Sequence, residues 1–131
     1  MNRSMPEGAV IPVLADPDVA DAVAFLTRAF GFPVRWVAGT YQAQFVVEAA
    51  LAVTVTWGDV VSSADHVMVR VNDIDAHMAR PRIVGATIVA DPVDFPYGEC
   101  QAAAADPSGR SWVFSQTIRD VDPAERGATP G

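Results

Sequence analysis

Apolar residues recur at every third or fourth position after Asp16-Pro17-Asp18, and this spacing predicts an amphipathic helix. An acidic residue followed by proline is typical of a helix start, and Gly31 marks the end. The apolar stripe consists of Val19, Val23, Leu26, Ala29 and Phe30.

A second helix is predicted to begin at Asn72-Asp73 and to end at Gly85. It carries Ile74, Met78 and Ile83 on its apolar side. Pro81 lies inside this segment, where it predicts a kink or an early stop because proline lacks the backbone N–H of a helix interior.

Short stretches rich in apolar residues, several of them alternating with polar ones, predict strands on either side of both helices. Asp106-Pro107-Ser108-Gly109 predicts a turn between the last two strands. The predicted strands are residues 10–14, 34–38, 42–48, 51–57, 66–71, 86–90, 99–104 and 111–116.

The two halves of the chain repeat the same order of one strand, one helix and three strands. His66 lies seven residues before Asp73, and Ile11 lies seven residues before Asp18. The prediction is an α+β domain in which two βαβββ modules, residues 9–59 and 65–118, pair into one curved mixed sheet around a cavity. Residues 1–8 and 119–131 are predicted to be tails.

Length and charge limit the number of domains and the classes of ligand that the chain is expected to bind. The 131 residues suffice for one domain with its own core. The net charge is −7 and all nine basic residues are arginines, which excludes the clustered positive charge that nucleic acids and anionic membranes require. An acidic domain suits a neutral or cationic small molecule. The lysine-free, alanine- and valine-rich usage indicates a GC-rich bacterial genome.

Cys100 is the only cysteine, so neither an internal disulfide nor a cysteine metal cluster is expected. The first residues lack the layout of a signal peptide, and the apolar runs are far shorter than a membrane span. These features predict a cytoplasmic protein.

Three motifs carry a resemblance to a known family: Ala29-Phe30-Gly31-Phe32, the stretch from Pro92 to Glu99, and the stretch from Asp106 to Phe114. Together with the repeat, they resemble the vicinal oxygen chelate superfamily of glyoxalases, extradiol dioxygenases, and fosfomycin- and bleomycin-resistance proteins. The resemblance covers residues 9–118 and is greatest to the bleomycin-resistance branch.

The resemblance implies four metal-ligand positions, which fall on Ile11, Thr54, His66 and Val113. Of these only His66 is a competent ligand, and one imidazole with one hydroxyl cannot hold a divalent ion against water. No metal and no other cofactor is therefore expected.

Strand alternation predicts which side chains face the cavity, because neighbouring residues point to opposite faces. Trp57, Trp112 and Cys100 are assigned to the core, and His77 to the surface. The predicted ligand-binding residues are Ile11, Val13, Trp36, Tyr41, Gln44, Val46, Thr54, Thr56, His66, Met68, Arg70, Glu99, Gln101, Ser111 and Val113.

The mixed apolar and hydrogen-bonding lining indicates a binding site. The resemblance then implies a metal-free homodimer that sequesters an antibiotic or another natural product, with a hydrophobic, aromatic or cationic ligand. The alternative is a glyoxalase-like isomerase, lyase or cyclase that uses His66 and Glu99 as an acid–base pair, or an atypical metal site. A regulatory module that keeps only the dimer interface is a third possibility. The sequence does not identify the ligand.

Overall fold

Each half of the chain folds into one strand, one helix and three further strands. The computed structural model describes residues 2, 3, 5, 8, 10–48, 51–59 and 65–129, the side chains at 48 and 51–53 excepted. Module 1 contains β1 (Val13–Asp16), α1 (Val19–Phe30), β2 (Val34–Ala38), β3 (Gln42–Glu48) and β4 (Leu51–Trp57). Module 2 contains β5 (His66–Arg70), α2 (Ile74–Ile83), β6 (Thr87–Phe95), β7 (Glu99–Ala105) and β8 (Ser111–Thr117).

The strands form two separate four-stranded mixed sheets with the same topology. The strand order is β1-β4-β3-β2 in module 1 and β5-β8-β7-β6 in module 2. In each sheet the opening and closing strands pair in parallel, and the other neighbours are antiparallel. The predicted α+β fold with two βαβββ modules is confirmed. Across the described residues, however, the two sheets do not pair with each other into one curved sheet.

The helix ends follow the predicted capping chemistry. The Asp18 side chain accepts a hydrogen bond from the Asp21 backbone N–H at 2.9 Å, and α1 ends at Gly31 in the left-handed conformation. Asp73 caps α2 in the same way through the Ala76 N–H at 3.1 Å. These side chains satisfy backbone donors that a helix start leaves free. Helix α2 passes through Pro81 and ends two residues later.

One hydrophobic core joins the two modules through their helices. The Phe30 ring of α1 contacts Phe114 and Trp112 of β8, with ring centroids 4.9 Å and 5.6 Å apart. Phe45 and Val55 of the first sheet belong to the same core. The helix-covered face of each sheet therefore packs into this core, and the other face, here called the helix-free face, is turned away from it.

A second link between the modules is polar. The Arg110 guanidinium donates to the Ala15 carbonyl at 2.7 Å, so the start of β8 is bonded to the end of β1. The Asp106 carboxylate accepts from the Trp112 indole N–H at 3.0 Å and from the Ser108 and Arg110 backbone N–H groups. The Asp-Pro-Ser-Gly turn is thus tied to the core tryptophan.

Two side chains lie elsewhere than predicted. Trp57 was assigned to the core, yet it is 69% exposed, because it is the last residue of β4 and lies beyond the cover of α1. His77 was assigned to the surface, yet its ring lies 4.2 Å from the Phe114 ring and its Nε2 atom is buried. Trp112 and Cys100 are buried as predicted.

The ends of the chain and of the strands show further differences. Strand β1 begins at Val13 rather than at residue 10, and β6 continues to Phe95 rather than ending at residue 90. The predicted tail after residue 118 contains a 3₁₀ helix, Pro123–Arg126. Of the predicted N-terminal tail, residues 1, 4, 6 and 7 lie outside the described residues.

Neither helix in the described part of the chain is long and apolar enough to cross a lipid bilayer.

Candidate functional site

The helix-free face of module 2 carries charged, hydrogen-bonding, aromatic and apolar side chains. We call it the module 2 face. Strand pairing brings Met68 beside Val113, Arg70 beside Ser115, and Ser115 beside Gln101. The module 2 face consists of His66, Met68, Arg70, Val93, Phe95, Tyr97, Glu99, Gln101, Ser111, Val113 and Ser115.

A chain of hydrogen bonds crosses this face. The Tyr97 hydroxyl donates to Gln101 Oε1 at 3.0 Å, and Gln101 Nε2 donates to the Ser115 hydroxyl at 3.1 Å. The Ser115 hydroxyl donates to Glu99 Oε1 at 2.7 Å. The donors therefore all point along one direction, which ends at the Glu99 carboxylate.

Glu99 is held in its ionised form. Hydrogen bonds from the Thr117 and Ser115 hydroxyls, with the positive charge of Arg70 as a smaller contribution, lower the pKa of this carboxyl below its ordinary value. A carboxylate that accepts such bonds is favoured over the neutral acid. At neutral pH the face therefore carries an ionised Glu99 together with the positive charge of Arg70.

Aromatic rings form the rim of the module 2 face at the β6–β7 turn. The Phe95 and Tyr97 rings stack with centroids 5.2 Å apart and planes 13° apart. The Arg126 guanidinium lies over the Tyr97 ring, 4.4 Å from its centroid. Phe95 remains 37% exposed, so it offers an aromatic surface to a planar group.

The helix-free face of module 1, here the module 1 face, includes Val13, Gln42, Gln44, Val46, Thr54 and Thr56. Gln44 is only 1% exposed, and its polar atoms are satisfied, since Arg35 donates to its Oε1 and its Nε2 donates to the Thr54 hydroxyl at 3.2 Å. Both Gln44 and Thr54 are thus already bonded within the protein. A β-bulge between Val34 and Trp36 accompanies the placement of Arg35 over this face.

Trp36 and Tyr41, two of the predicted ligand-binding residues, lie at the edge of module 1, in β2 and in the β2–β3 turn. They line a cavity of about 440 Å³ with Met5, Ala38 and Gln42. Tyr41 is largely exposed in the β2–β3 turn, and Trp36 is half-buried.

The predicted strand parity holds in the interior of the strands, whereas Trp57 at the end of β4 departs from it. Phe45, Val55 and Phe114 face the core, whereas Val13 and Met68 are 59% and 53% exposed on the helix-free faces. Ile11 precedes β1 and is half-buried. Val46, Thr56, Ser111 and Val113 are half-buried, and Arg70 is exposed.

His66 and Glu99 do not come together within one chain. His66 pairs with Ser111 and Glu99 pairs with Thr117, at opposite ends of β8. Six residues of strand separate the two positions, or about 20 Å. The condition for an acid–base pair is therefore not met, and the lowered pKa of Glu99 makes this carboxylate a weak base.

The donor set does not fit a divalent metal. The four positions implied by the fold family carry Ile11, Thr54, His66 and Val113, and the Thr54 hydroxyl is bonded to Gln44. Among the described residues, no three His, Cys, Asp or Glu side chains lie close enough to hold an ion.

Sequence reasoning missed Phe95, Tyr97, Arg35 and Arg126 as site residues. Phe95 and Tyr97 lie within the motif from Pro92 to Glu99, and an aromatic pair next to a turn glycine was the available signal. Arg35 reaches its face at a bulge, and Arg126 arrives from a distant segment, so neither follows from strand alternation.

Two βαβββ modules with this strand order define the vicinal oxygen chelate fold. The chain belongs to the Glyoxalase/Bleomycin resistance protein/Dioxygenase superfamily, whose family model matches residues 9–114.

Solved structures share the fold of this chain. TioX from Micromonospora sp. ML1 is 30% identical, with a TM-score of 0.70 over 85% of this chain and 99% of that chain. The fosfomycin resistance protein FosX from Listeria monocytogenes is 16% identical, with a TM-score of 0.69 over 86% and 94%. A glyoxalase/bleomycin resistance protein/dioxygenase from Nocardioides is also 16% identical, with a TM-score of 0.73 over 97% and 91%. The search of curated proteins found no match.

Proposed function

We propose that the chain is a metal-independent binding protein for a small molecule, and that the module 2 face is its ligand site. The observation that carries the proposal is the combination on one face of a stacked aromatic pair, an ionised carboxylate and apolar side chains. Ligand sites typically combine apolar area with a few placed polar groups.

The chemistry of the face favours a planar aromatic ligand with a cationic group. Phe95 would stack on the aromatic part, and Met68 and Val93, both about half exposed, would add apolar area. Glu99 would bind the cation, and the net charge of −7 would favour its approach.

A second copy of the chain is proposed to complete each site. The two helix-free faces of one chain both turn away from the common core, so neither covers the other. Both leave apolar side chains in water, notably Val13 and Met68. In a two-fold dimer, the module 1 face of one protomer would cover the module 2 face of its partner.

Sequestration of an antibiotic or other natural product is the biological role that we propose for this binding. Support comes from the family to which the chain belongs and from a structural neighbour that is a fosfomycin resistance protein. Sequestration without chemistry also agrees with a donor set that cannot hold a metal. Such a role would be exercised in the bacterial cytoplasm.

The test is calorimetric titration with two probes, bleomycin and the planar cation proflavine, in buffer containing EDTA. We expect one probe bound per chain, with an affinity unchanged when Zn²⁺ or Mn²⁺ replaces EDTA. Met68→Trp and Val113→Trp should weaken binding at least tenfold, because the indole would occupy the ligand volume. Ile83→Trp, at an exposed position on α2, is the matched control and should bind as wild type.

Two results would contradict the proposal. One is binding that appears only when a divalent ion is added, with about one equivalent of metal retained after dialysis and lost in His66→Ala. The other is undiminished binding by Met68→Trp and Val113→Trp, which would locate the ligand elsewhere.

A further inference from the structure

A segment that follows β8 packs against the rim of the module 2 face. We call residues 118–127 the C-terminal segment. The backbone N–H groups of Ile118 and Arg119 donate to the Gly98 carbonyl at 2.9 Å and 3.3 Å. The Arg119 guanidinium donates to the Pro96 carbonyl. The segment is therefore fastened to the β6–β7 turn on both sides of Tyr97.

The 3₁₀ helix of this segment brings a cation to the Tyr97 ring. The Asp122 side chain caps the helix by accepting from the Ala124 N–H at 2.9 Å, and Gly127 ends it in the left-handed conformation. Arg126, in the last turn, lies over Tyr97. A guanidinium over an aromatic face is an attractive contact that limits where the ring can lie.

The Gln101 amide is oriented by Ser115 and is held in place by the Tyr97 hydroxyl. Ionised Glu99 can only accept, so the Ser115 hydroxyl proton is used on Glu99 and Ser115 must accept from Gln101 Nε2. Gln101 Oε1 therefore faces Tyr97, whose hydroxyl donates to it. The second N–H of Gln101 is directed at the Met68 sulfur at 4.0 Å, a weak acceptor that a better one can replace.

We propose that the C-terminal segment is a working part of the ligand site, in which Arg126 positions Tyr97 and the Tyr97 hydroxyl holds Gln101 Oε1, so that an amide N–H of Gln101 is presented to a ligand acceptor. This inference rests on the proposed binding function and specifies its ligand. Arg126 is a positioning residue, since it acts on the ligand through Tyr97 and Gln101.

The arrangement specifies two polar groups on the ligand. Gln101 takes a carbonyl or another acceptor, and Glu99 takes a cationic group. These residues are two apart on β7 and point to the same face, where Gln101 Nε2 and Glu99 Oε1 both bond to the Ser115 hydroxyl, so the two ligand groups must lie close together on the ligand. The ligand class is therefore a planar aromatic compound with a carbonyl-type acceptor and a basic side arm.

The first experiment observes the Gln101 side-chain amide by NMR in the full-length protein without ligand, with Gln101→Glu for assignment. Arg126→Gln should shift the two Gln101 amide proton resonances in the same direction as Tyr97→Phe, which removes only the hydroxyl donor. Arg126→Lys should restore most of the wild-type shift. Arg82→Gln, which removes a guanidinium paired with Asp91 elsewhere, should leave these resonances unchanged.

The second experiment compares two fluorescent probes, an N-aminopropyl naphthalimide and naphthylpropylamine. Both carry the aromatic rings and the ammonium group, but only the imide has carbonyl acceptors. Wild type should prefer the imide by about three- to tenfold, the value of one hydrogen bond. Arg126→Gln and Tyr97→Phe should lose this preference and retain their affinity for the amine, and Arg126→Lys should keep it.

The outcomes separate the two proposals. If Arg126→Gln leaves the Gln101 resonances and the imide preference as in wild type, the positioning role is wrong. If the resonances shift as expected but wild type binds neither probe, the positioning holds and the proposed aromatic ligand is wrong.

Discussion

The Asp16 carboxylate lies at the junction of the two modules in an unfavourable place for a charge. It is buried, and it accepts the Asp18 backbone N–H at 2.9 Å. Burial, with the negative charge of Asp106 as a further cause, raises the pKa of Asp16 above its ordinary value. The ionised form therefore lowers the stability of the folded state at neutral pH.

Asp16→Asn should therefore stabilise the protein at pH 7 by about 1 kcal/mol, because the amide oxygen keeps the hydrogen bond from Asp18 and the charge is gone. Since the pKa is raised on folding, the cost of the charge is relieved as the pH falls through the folded-state pKa. The difference in the free energy of unfolding between Asp16→Asn and wild type should then shrink on acidification. Urea denaturation at several pH values measures both effects. Asp16→Ala, which also loses the acceptor, should be less stable than Asp16→Asn, and equal stability would argue against this account.

Strand parity predicts opposite effects of tryptophan at adjacent positions of β5. Val69 is buried against the core and pairs with Phe114, so Val69→Trp should overpack the core and destabilise by roughly 1–3 kcal/mol. Val67→Trp should behave similarly, because Val67 packs against the same core. Met68→Trp and Val113→Trp should melt close to wild type, since both point to the helix-free face. Thermal melts of the four variants suffice, and an exchange of the two phenotypes would refute the register.

Residue-level prediction from the sequence succeeded where alternation alone decides which face a side chain occupies. Phe45, Val55 and Met68 lie on the predicted faces because each sits in the interior of a strand. It failed for Trp57, since parity does not tell how far a helix extends over a sheet. It also failed for His77, whose burial against Phe114 depends on a contact between distant elements.

At the scale of elements, the β6–β7 turn and the C-terminal segment depend on each other. Gly98 is buried with φ +85°, and a Cβ atom there would lie 2.4 Å from the Arg119 carbonyl oxygen. Only glycine allows both the backbone conformation and the close approach.

Gly98→Ala should therefore displace the C-terminal segment and destabilise the protein. Gly109→Ala is the matched control, because Gly109 has φ +90° but no atom within 4 Å of an added Cβ. Both variants bear the strain of the left-handed conformation, about 1 kcal/mol, and only Gly98→Ala adds a backbone clash. Limited proteolysis after Arg119 and Arg126 should be faster in Gly98→Ala alone. Equal cleavage in the two variants would mean that the segment is not held by this contact.

The order and type of the elements were predictable because their signals are local. Caps at Asp18 and Asp73 and apolar alternation define them without reference to the rest of the fold. Strand β1 begins later than predicted, and Pro12 gives a reason, since it lacks the N–H that a strand ladder uses. The 3₁₀ helix after residue 122 has no apolar stripe, and its contact with Tyr97 crosses the fold.

For the whole molecule, the two helix-free faces lead to a prediction about assembly. Light scattering at micromolar concentration should report about twice the 13.9 kDa mass of one chain. Val13→Asp and Met68→Asp should shift the protein towards monomer, because each introduces a charge into the proposed interface without touching the core. Ile83→Asp, on the exposed side of α2, serves as control. A wild-type protein that stays monomeric at every concentration would contradict the proposed dimer.

The outward orientation of both faces from one core has a genetic consequence. In the proposed dimer, a mixed pair of two alleles, one damaged only on its module 1 face and the other only on its module 2 face, would have both defects in the same cavity. The second cavity then combines two intact faces. Two alleles that are each inactive alone should therefore complement one another when they are co-expressed, restoring one functional site for every mixed dimer that forms.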